Sequence, residues 1–201
     1  MSNLKAISAT RPGNERISKT MQALLSKPTT LISGFLLILI VSSAVFAPLI
    51  APTNPYDLTT VSILDGRLEP GEEMIDGTIA WLGTDGAGRD VLSSILYGLR
   101  TSLTVAISSA LVALAIGLSV GLTSAFYGGR IDAFLMRVVD IQLSFPAILV
   151  ALVLLALLGK GIDKVIIALA IVQWALYART VRAAAMVERR KEYFEAATCL
   201  E

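Results

Sequence analysis

The chain has no histidine and only one cysteine, Cys199, in 201 residues. A disulfide framework is therefore excluded, and a structural zinc site or histidine-based catalysis is disfavoured. Charged residues are also scarce, at 16% of the chain against about 25% in soluble domains. Hydrophobic residues make up 55% and the mean hydropathy is +0.72, so the composition predicts a membrane protein. The 17 basic and 16 acidic residues nearly cancel, and this balance gives no indication of nucleic acid as a partner.

Four apolar stretches approach the length needed to cross about 30 Å of hydrocarbon. They predict transmembrane helices at residues 31–50, 102–127, 141–159 and 162–181. The first is longer than the apolar part of a signal peptide, so we expect an uncleaved anchor. In the last, Lys164 and Arg179 must extend their charged ends to the interfaces. No acidic or basic residue lies in the central part of any of these stretches, which argues against a proton-driven transporter.

Two features inside the spans predict local geometry. Gly117 and Gly121 have the i, i+4 spacing that lets a neighbouring membrane helix approach closely. The same glycines are also compatible with the general abundance of glycine in membrane helices. Pro146 lies near one end of the third span, where the missing N–H favours a kink.

The distribution of charge predicts the orientation. Residues 1–30 carry five bases and one acid, whereas residues 51–100 carry three bases and eight acids. Because basic segments stay inside, residues 1–30 are expected to form a cytoplasmic tail and 51–101 an external loop that includes an interfacial helix. Residues 128–140 and 182–201 then fall on the cytoplasmic side. The two lysines of the 160–164 link, which falls outside, are an exception to the rule.

The stretch "WLGTDGAGRD", residues 81–90, raises the possibility of a phosphate-binding loop. It lacks the lysine of the Walker pattern and does not match G-x-G-x-x-G. It also lies in the acidic external loop, away from cytoplasmic ATP. We therefore expect a tight turn before the second span, with charged residues available for local pairing or for contact with a partner. The residues assigned to this turn are Gly83, Thr84, Asp85, Gly86, Gly88, Arg89 and Asp90.

The final stretch, "ERRKEYFEAATCLE", has one narrow apolar stripe if it is helical. The stripe consists of Tyr193, Ala196, Ala197 and Leu200. Such a helix could lie on the membrane surface, insert into a groove of a partner protein, or remain solvated.

Three blocks carry a resemblance to a known family: "LGTDGAGRDVLSSILYGLRTSL", "YGGRIDAFLMRVVDIQLSFPAILVAL" and "YARTVRAAAMVERRKEYFEAA". In order and spacing they resemble the C-type dipeptide/oligopeptide permease subunit of binding-protein-dependent ABC importers. The resemblance implies an all-α, polytopic membrane helix bundle with the type I ABC importer permease fold, of which four of six spans are present. It also implies a bacterial inner-membrane location.

The resemblance further implies partners and a role for the last residues. Glu195, Ala196 and Ala197 match the E-A-A of the motif that docks on the ATPases. The expected partners are a second homologous permease, two cytoplasmic ATP-binding subunits, an external solute-binding protein and membrane lipid, with no nucleic acid. ATP would be hydrolysed by the partners, so the chain is expected to be a permease subunit and no enzyme, with no catalytic residue, cofactor or metal of its own.

Glu201 occupies the position at which the family motif E-A-A-x-x-x-G has glycine. This departure suggests the N-terminal portion of a permease, as a fragment, a frameshift product or a natural short form. A truncated, non-transporting membrane anchor or interaction protein is the alternative, and a secondary transporter is disfavoured by the uncharged spans. The residues leave the substrate open among dipeptides, oligopeptides, glutathione, nickel complexes and antimicrobial peptides.

Overall fold

A computed structural model describes residues 27–57, 59 and 61–191. Its elements, in chain order, are α1 (Pro28–Val45), α2 (Ala47–Ile50), a 3₁₀ turn (Ile63–Asp65), β1 (Glu72–Glu73), β2 (Ile79–Ala80), α3 (Val91–Tyr127), α4 (Gly129–Ser144), α5 (Ala147–Leu158) and α6 (Ile162–Arg189). The predicted all-α membrane helix bundle is confirmed. The chain divides into two compact units, residues 1–100 and 101–201, which we describe separately.

Three of the described helices, α1, α3 and α6, are long and apolar enough to cross a membrane. A fourth crossing is reached if α4 and α5 together count as one bent span. Large apolar side chains on these helices are widely exposed, for example Ile38 on α1, Leu111 on α3 and Leu157 on α5. Such exposure is expected where lipid or another membrane helix replaces water as the neighbour.

In the first unit, the segment between α2 and α3 folds on itself. Strands β1 and β2 pair antiparallel, with Glu72 opposite Ala80. Backbone hydrogen bonds then link distant parts of the segment: the Arg67 N–H donates to the Asp85 carbonyl, and the Thr84 N–H donates to the Leu68 carbonyl. The predicted external loop is thus an ordered structure with its own hydrogen-bond network.

In the second unit, α6 contacts both α4 and α5, and its small residues make a close approach possible. The buried centre contains Val139 of α4 and Ala175 and Ala178 of α6. Val120, Met136, Leu143 and Trp174 pack around it. Alanine at the contact lets helix backbones approach closely, as small residues do in membrane bundles.

The start of the second span differs from the prediction. We expected a separate interfacial helix before a span beginning at residue 102, but α3 is continuous from Val91 to Tyr127. Neither a proline nor a glycine pair interrupts residues 91–102, and a single glycine, Gly98, is tolerated within a helix. At 1.5 Å per residue the 37 residues extend about 55 Å, which exceeds the hydrocarbon thickness.

The third predicted span, residues 141–159, is not a single helix. Residues 141–144 belong to α4, and α5 begins only after Pro146, with 88° between the two helix axes. Phe145 has an extended backbone (φ −90°, ψ 139°), which is the conformation that a following proline favours. The twelve residues of α5 extend only about 18 Å, so the pair forms a broken span or a re-entrant loop. The expected connection at 128–140 is largely the helix α4.

Candidate functional site

The glycine-containing turn closes around the carboxylate of Asp85. Its Oδ1 accepts hydrogen bonds from the N–H groups of Ala87 (2.8 Å) and Arg89 (3.0 Å). The Gly88 N–H donates to the Asp85 carbonyl at 3.1 Å. The N–H groups that a phosphate would need are therefore already used within the turn, which agrees with the argument against a nucleotide loop.

These contacts also affect the acidity of Asp85. The Arg89 N–H holds the pKa of this carboxyl below its ordinary value, and the Ala87 N–H and the Arg89 charge act in the same direction, while partial burial opposes them. The Arg89 Nε lies 3.7 Å from Asp85 Oδ2, so the predicted local pairing of these two charges is present.

The three glycines of the turn are not equivalent. Gly83 (φ +76°) and Gly88 (φ +79°) have left-handed backbones, which favour glycine. A Cβ at Gly83 would lie 2.5 Å from the Leu68 carbonyl oxygen, and one at Gly88 would overlap the Ser62 carbonyl. Gly86, by contrast, has no neighbouring atom within 4 Å of a Cβ position. The steric requirement for glycine therefore holds at Gly83 and Gly88 but not at Gly86.

Thr84 and Asp90 connect the turn to its surroundings. The Thr84 hydroxyl donates to the Asp65 carbonyl and accepts from the Leu68 N–H at 2.8 Å. Asp90 Oδ2 accepts from the N–H (2.8 Å) and hydroxyl (2.6 Å) of Ser93, in the manner of a helix N-cap for α3.

Sequence reasoning missed the partners that complete this network. Asp65 is buried and its Oδ1 accepts from the Ile75 N–H at 3.0 Å. The Ser93 hydroxyl accepts from the Thr53 N–H at 3.2 Å. The spacing of Asp90 and Ser93 is a readable capping signal, but nothing in the pattern around Asp65 or Thr53 marks them.

Gly117 and Gly121 both lie against α6. A Cβ at Gly117 would lie 2.5 Å from the Tyr177 Cβ, and one at Gly121 would lie 2.6 Å from the Ala178 carbonyl oxygen. The two glycines thus lie at a contact between helices that leaves no room for a methyl group.

A second polar cluster joins the ends of three helices, and we call it the α6 clamp. It comprises Ser124 and the last carbonyls of α3, Asp132 of α4, and Arg182 and Arg189 of α6. The Arg182 Nε and Nη2 donate to the two carboxylate oxygens of Asp132, both at 2.5 Å. The Ser124 hydroxyl donates to the same carboxylate. The Asp132 and Arg182 side chains are only 20% and 28% exposed.

Arg189 completes the clamp at the end of α3. Its guanidinium donates to the carbonyls of Ala125 and Phe126, which belong to the last turn of that helix. The last carbonyls of a helix have no partner within it and carry a partial negative charge, so a cation there is favourable. No local sequence pattern marks these two arginines as a site, because their partners lie 50 to 64 residues away along the chain.

A further ion pair joins α4 and α6 outside the clamp. Arg179 donates to Asp140, and both side chains are more than half exposed. It connects the same two helices as Arg182 and Asp132 but in a more accessible setting. The structure thus contains a matched exposed counterpart to the central pair of the clamp.

The structure describes α6 to its end, but the predicted coupling residues follow it. Tyr193, Glu195, Ala196, Ala197 and Leu200 lie outside the described residues. The described part ends at Lys191, whose Nζ lies 2.7 Å from Glu188 Oε1. In the described ranges, no cluster of three or more acidic or cysteine side chains is arranged to hold a metal ion.

Comparison with known families and proteins places these features in context. Residues 113–201 match the family described as "Binding-protein-dependent transport system inner membrane component". Residues 17–70 match "N-terminal TM domain of oligopeptide transport permease C". The chain belongs to this inner-membrane permease family. The two alanines of the predicted coupling motif and the α6 clamp all fall within residues 113–201.

Several curated relatives of this chain support the same assignment. The chain is 38% identical, over 161 residues, to the di/tripeptide transport system permease protein DppC of Pseudomonas aeruginosa, covering 80% of this chain and 52% of that protein. It is 34% identical to the dipeptide permease DppC of Alkalihalophilus pseudofirmus over 96% of this chain and 58% of that protein. It is also 36% identical to the glutathione transport permease GsiD of Pectobacterium atrosepticum over 82% of this chain and 52% of that protein. The chain spans about half the length of the curated relatives it matches.

Proposed function

We propose that the chain forms part of the translocation path of an ABC importer for substrates of the dipeptide and oligopeptide class, driven by partner ATPases. The observation that carries the proposal is the combination of two ordered family matches, at residues 17–70 and 113–201, with a helix, α6, that ends at Arg189, shortly before the predicted coupling residues in the sequence. Several relatives are named as dipeptide or oligopeptide permeases, which supports a peptide substrate.

The proposed arrangement in the membrane follows the charge distribution. The N-terminal tail (1–30), the 128–140 connection and residues 182–201 would face the cytoplasm, and the 51–101 loop would face outside. Helices α1, α3 and α6 would cross, and residues 141–158, from the end of α4 through α5, would form the remaining span. The even number of crossings leaves both basic ends on one side.

We test the orientation by labelling single cysteines in intact cells. In a Cys199→Ser background, Ile75→Cys in the loop and Val187→Cys near the end of α6 are both exposed positions. A membrane-impermeant maleimide is expected to label position 75 in intact cells and position 187 only after permeabilisation. The reverse pattern would overturn the proposed orientation.

In the assembled importer, Glu195, Ala196 and Ala197 would contact an ATPase subunit, with Tyr193 and Leu200 on the same stripe. A second permease would complete the path and an external solute-binding protein would deliver the substrate. The chain itself would perform no chemistry. A photocrosslinker placed at position 196 or 197 is expected to capture the ATPase, and the same probe at Gly34 on α1 serves as the control. Absence of any ATPase product would favour the membrane-anchor alternative.

The transport test uses the open reading frame together with its neighbouring importer genes in a host that lacks its own dipeptide uptake. We expect uptake of a labelled dipeptide that stops when the phosphate-binding lysine of the partner ATPase is replaced. Parallel assays with glutathione and Ni²⁺ distinguish the substrates named for the relatives GsiD and NikC. Uptake that survives loss of ATP hydrolysis but collapses with an uncoupler would instead indicate a secondary transporter.

A further inference from the structure

We infer that the α6 clamp is a force-transmitting joint: it holds the end of α6 to α3 and α4, so that displacement of the segment after Arg189 moves the three helices together. The inference rests on the proposed function, because it concerns how motion at the ATPase reaches the path. It assigns positioning roles to Asp132, Arg182 and Arg189, which no local sequence pattern marks as a site.

The geometry favours a joint over an incidental surface contact. The Arg182 guanidinium makes two parallel hydrogen bonds to Asp132, and such a bidentate pair fixes orientation as well as distance. The Ser124 hydroxyl brings α3 to the same carboxylate. One carboxylate therefore connects all three helices, and rotation of α6 would break contacts to both neighbours at once.

Arg189 adds a contact between α6 and α3 at the end of α6 that is nearest in sequence to the predicted coupling motif. It lies in the last turn of α6, and the predicted coupling motif begins within a few residues of it. By donating to the Ala125 and Phe126 carbonyls, it attaches the exit of α6 to the end of α3. Earlier along α3, the backbone at Gly117 and Gly121 packs so closely on α6 that sliding of α6 along α3 would cause steric overlap.

Burial separates the clamp from the other ion pair between the same helices. Asp132 and Arg182 are 20% and 28% exposed, against 54% and 52% for Asp140 and Arg179. Residue 140 ends the segment that is proposed to face the cytoplasm, where water and salt screen an exposed ion pair and make its contribution small. Removing the partner of a hydrogen-bonded charge that is shielded from water costs more stability. Asp140→Asn is therefore a matched control for Asp132→Asn.

The experiment measures peptide uptake and ATP hydrolysis together in the complete importer reconstituted in proteoliposomes. Asp132→Asn is expected to lower the peptide taken up per ATP hydrolysed about tenfold, in proportion to the loss of a charged hydrogen bond. Asp140→Asn should change that ratio by less than about twofold. Arg182→Lys keeps the charge but not the bidentate geometry, so an intermediate loss is expected and this variant remains informative if Asp132→Asn fails to assemble.

Equal ratios for Asp132→Asn and Asp140→Asn would overturn the inference. An unchanged ratio of uptake to hydrolysis in Arg182→Lys would also overturn it, because the coupling would then not depend on the bidentate geometry of the Arg182–Asp132 pair. A wild-type importer that shows no ATP-dependent uptake would reject the proposed function instead, before any variant is compared.

A second measurement tests the joint without transport. Spin labels at Ile131 on α4 and Val187 on α6, both exposed, report the distance between the two helix ends in the membrane-embedded protein. Asp132→Asn is expected to broaden the distance distribution, and Asp140→Asn is expected to leave it unchanged. An unbroadened distribution in Asp132→Asn would exclude the joint whatever the transport result.

Discussion

The glycine-containing turn and the α6 clamp are both polar networks, but they are built from contacts of different range. In the turn, the Asp85 carboxylate accepts hydrogen bonds from the N–H groups of Ala87 and Arg89, which are two and four residues away. In the clamp, Asp132 accepts hydrogen bonds from Arg182, which is 50 residues away, and the Ala125 carbonyl accepts one from Arg189, which is 64 residues away. Short-range networks leave a recognisable pattern of glycine and aspartate in the sequence, whereas long-range pairs leave only isolated charges.

The two networks also depend on different interactions: backbone conformation in the turn, and charge and side-chain geometry in the clamp. The turn needs left-handed backbone at Gly83 and Gly88, and a side chain there would collide with backbone carbonyls. The clamp needs charge and geometry at the ends of helices that would form without it. A side chain introduced at Gly83 or Gly88 should therefore disrupt the turn, whereas a substitution in the helix bundle should lower its stability by a smaller amount.

The largest expected effect comes from Gly88→Val. Valine would adopt an unfavourable left-handed backbone and overlap the Ser62 carbonyl, which we expect to cost about 3 kcal/mol or more of unfolding free energy. Thermal unfolding in detergent and resistance of the loop to protease measure this. Gly86→Val is the matched control, since the space around Gly86 is open and its backbone is not left-handed. Equal damage from the two variants would contradict the steric account.

A smaller effect is expected at the contact between α3 and α6. In Gly117→Ala, the added methyl group meets Tyr177 and the Trp174 carbonyl, and we expect a loss of about 1–3 kcal/mol from overpacking. Gly98→Ala lies on the same helix, where nothing is within 4 Å, and should be neutral or slightly stabilising because alanine favours the helix. The difference between the two melting temperatures is the measurement, and a neutral Gly117→Ala would argue against close packing at this site.

The smallest effect is the pH dependence of the turn. Because the pKa of folded Asp85 lies below its ordinary value of 3.8, its carboxylate stabilises the turn above that pH, and the stabilisation is lost as pH falls through the lowered pKa. Trp81, the only tryptophan left in a Trp174→Phe variant, should report this as a fluorescence change confined to acidic pH.

Two replacements assign that fluorescence change. Asp85→Asn should reduce it and loosen the turn already at neutral pH. Asp57→Asn should leave it largely in place, although the pKa of Asp57 is also lowered, by the Thr59 hydroxyl and N–H. An unaltered acid response in Asp85→Asn would assign it to another carboxylate.

Much of the fold was predictable from local pattern, but the helix boundaries were not. Apolar length indicated α1 and α6 because a membrane helix needs only its own residues to satisfy its backbone. It could not show that α3 begins at Val91, because the polar residues before the span are equally compatible with a separate interfacial helix. Pro146 predicted a kink, but an 88° change of direction depends on how α5 packs on α6.

The sequence by itself determined that the chain is a multi-pass membrane protein of the permease family, because hydropathy and ordered motifs are properties of contiguous residues. It also located the glycine turn, in which the hydrogen bonds to Asp85 Oδ1 are local. Only the tertiary structure decided which glycine is sterically required, which arginine meets Asp132, and that Arg189 binds the end of α3. Such pairings depend on the direction in which packed helices approach one another, and no spacing within a single helix contains that information.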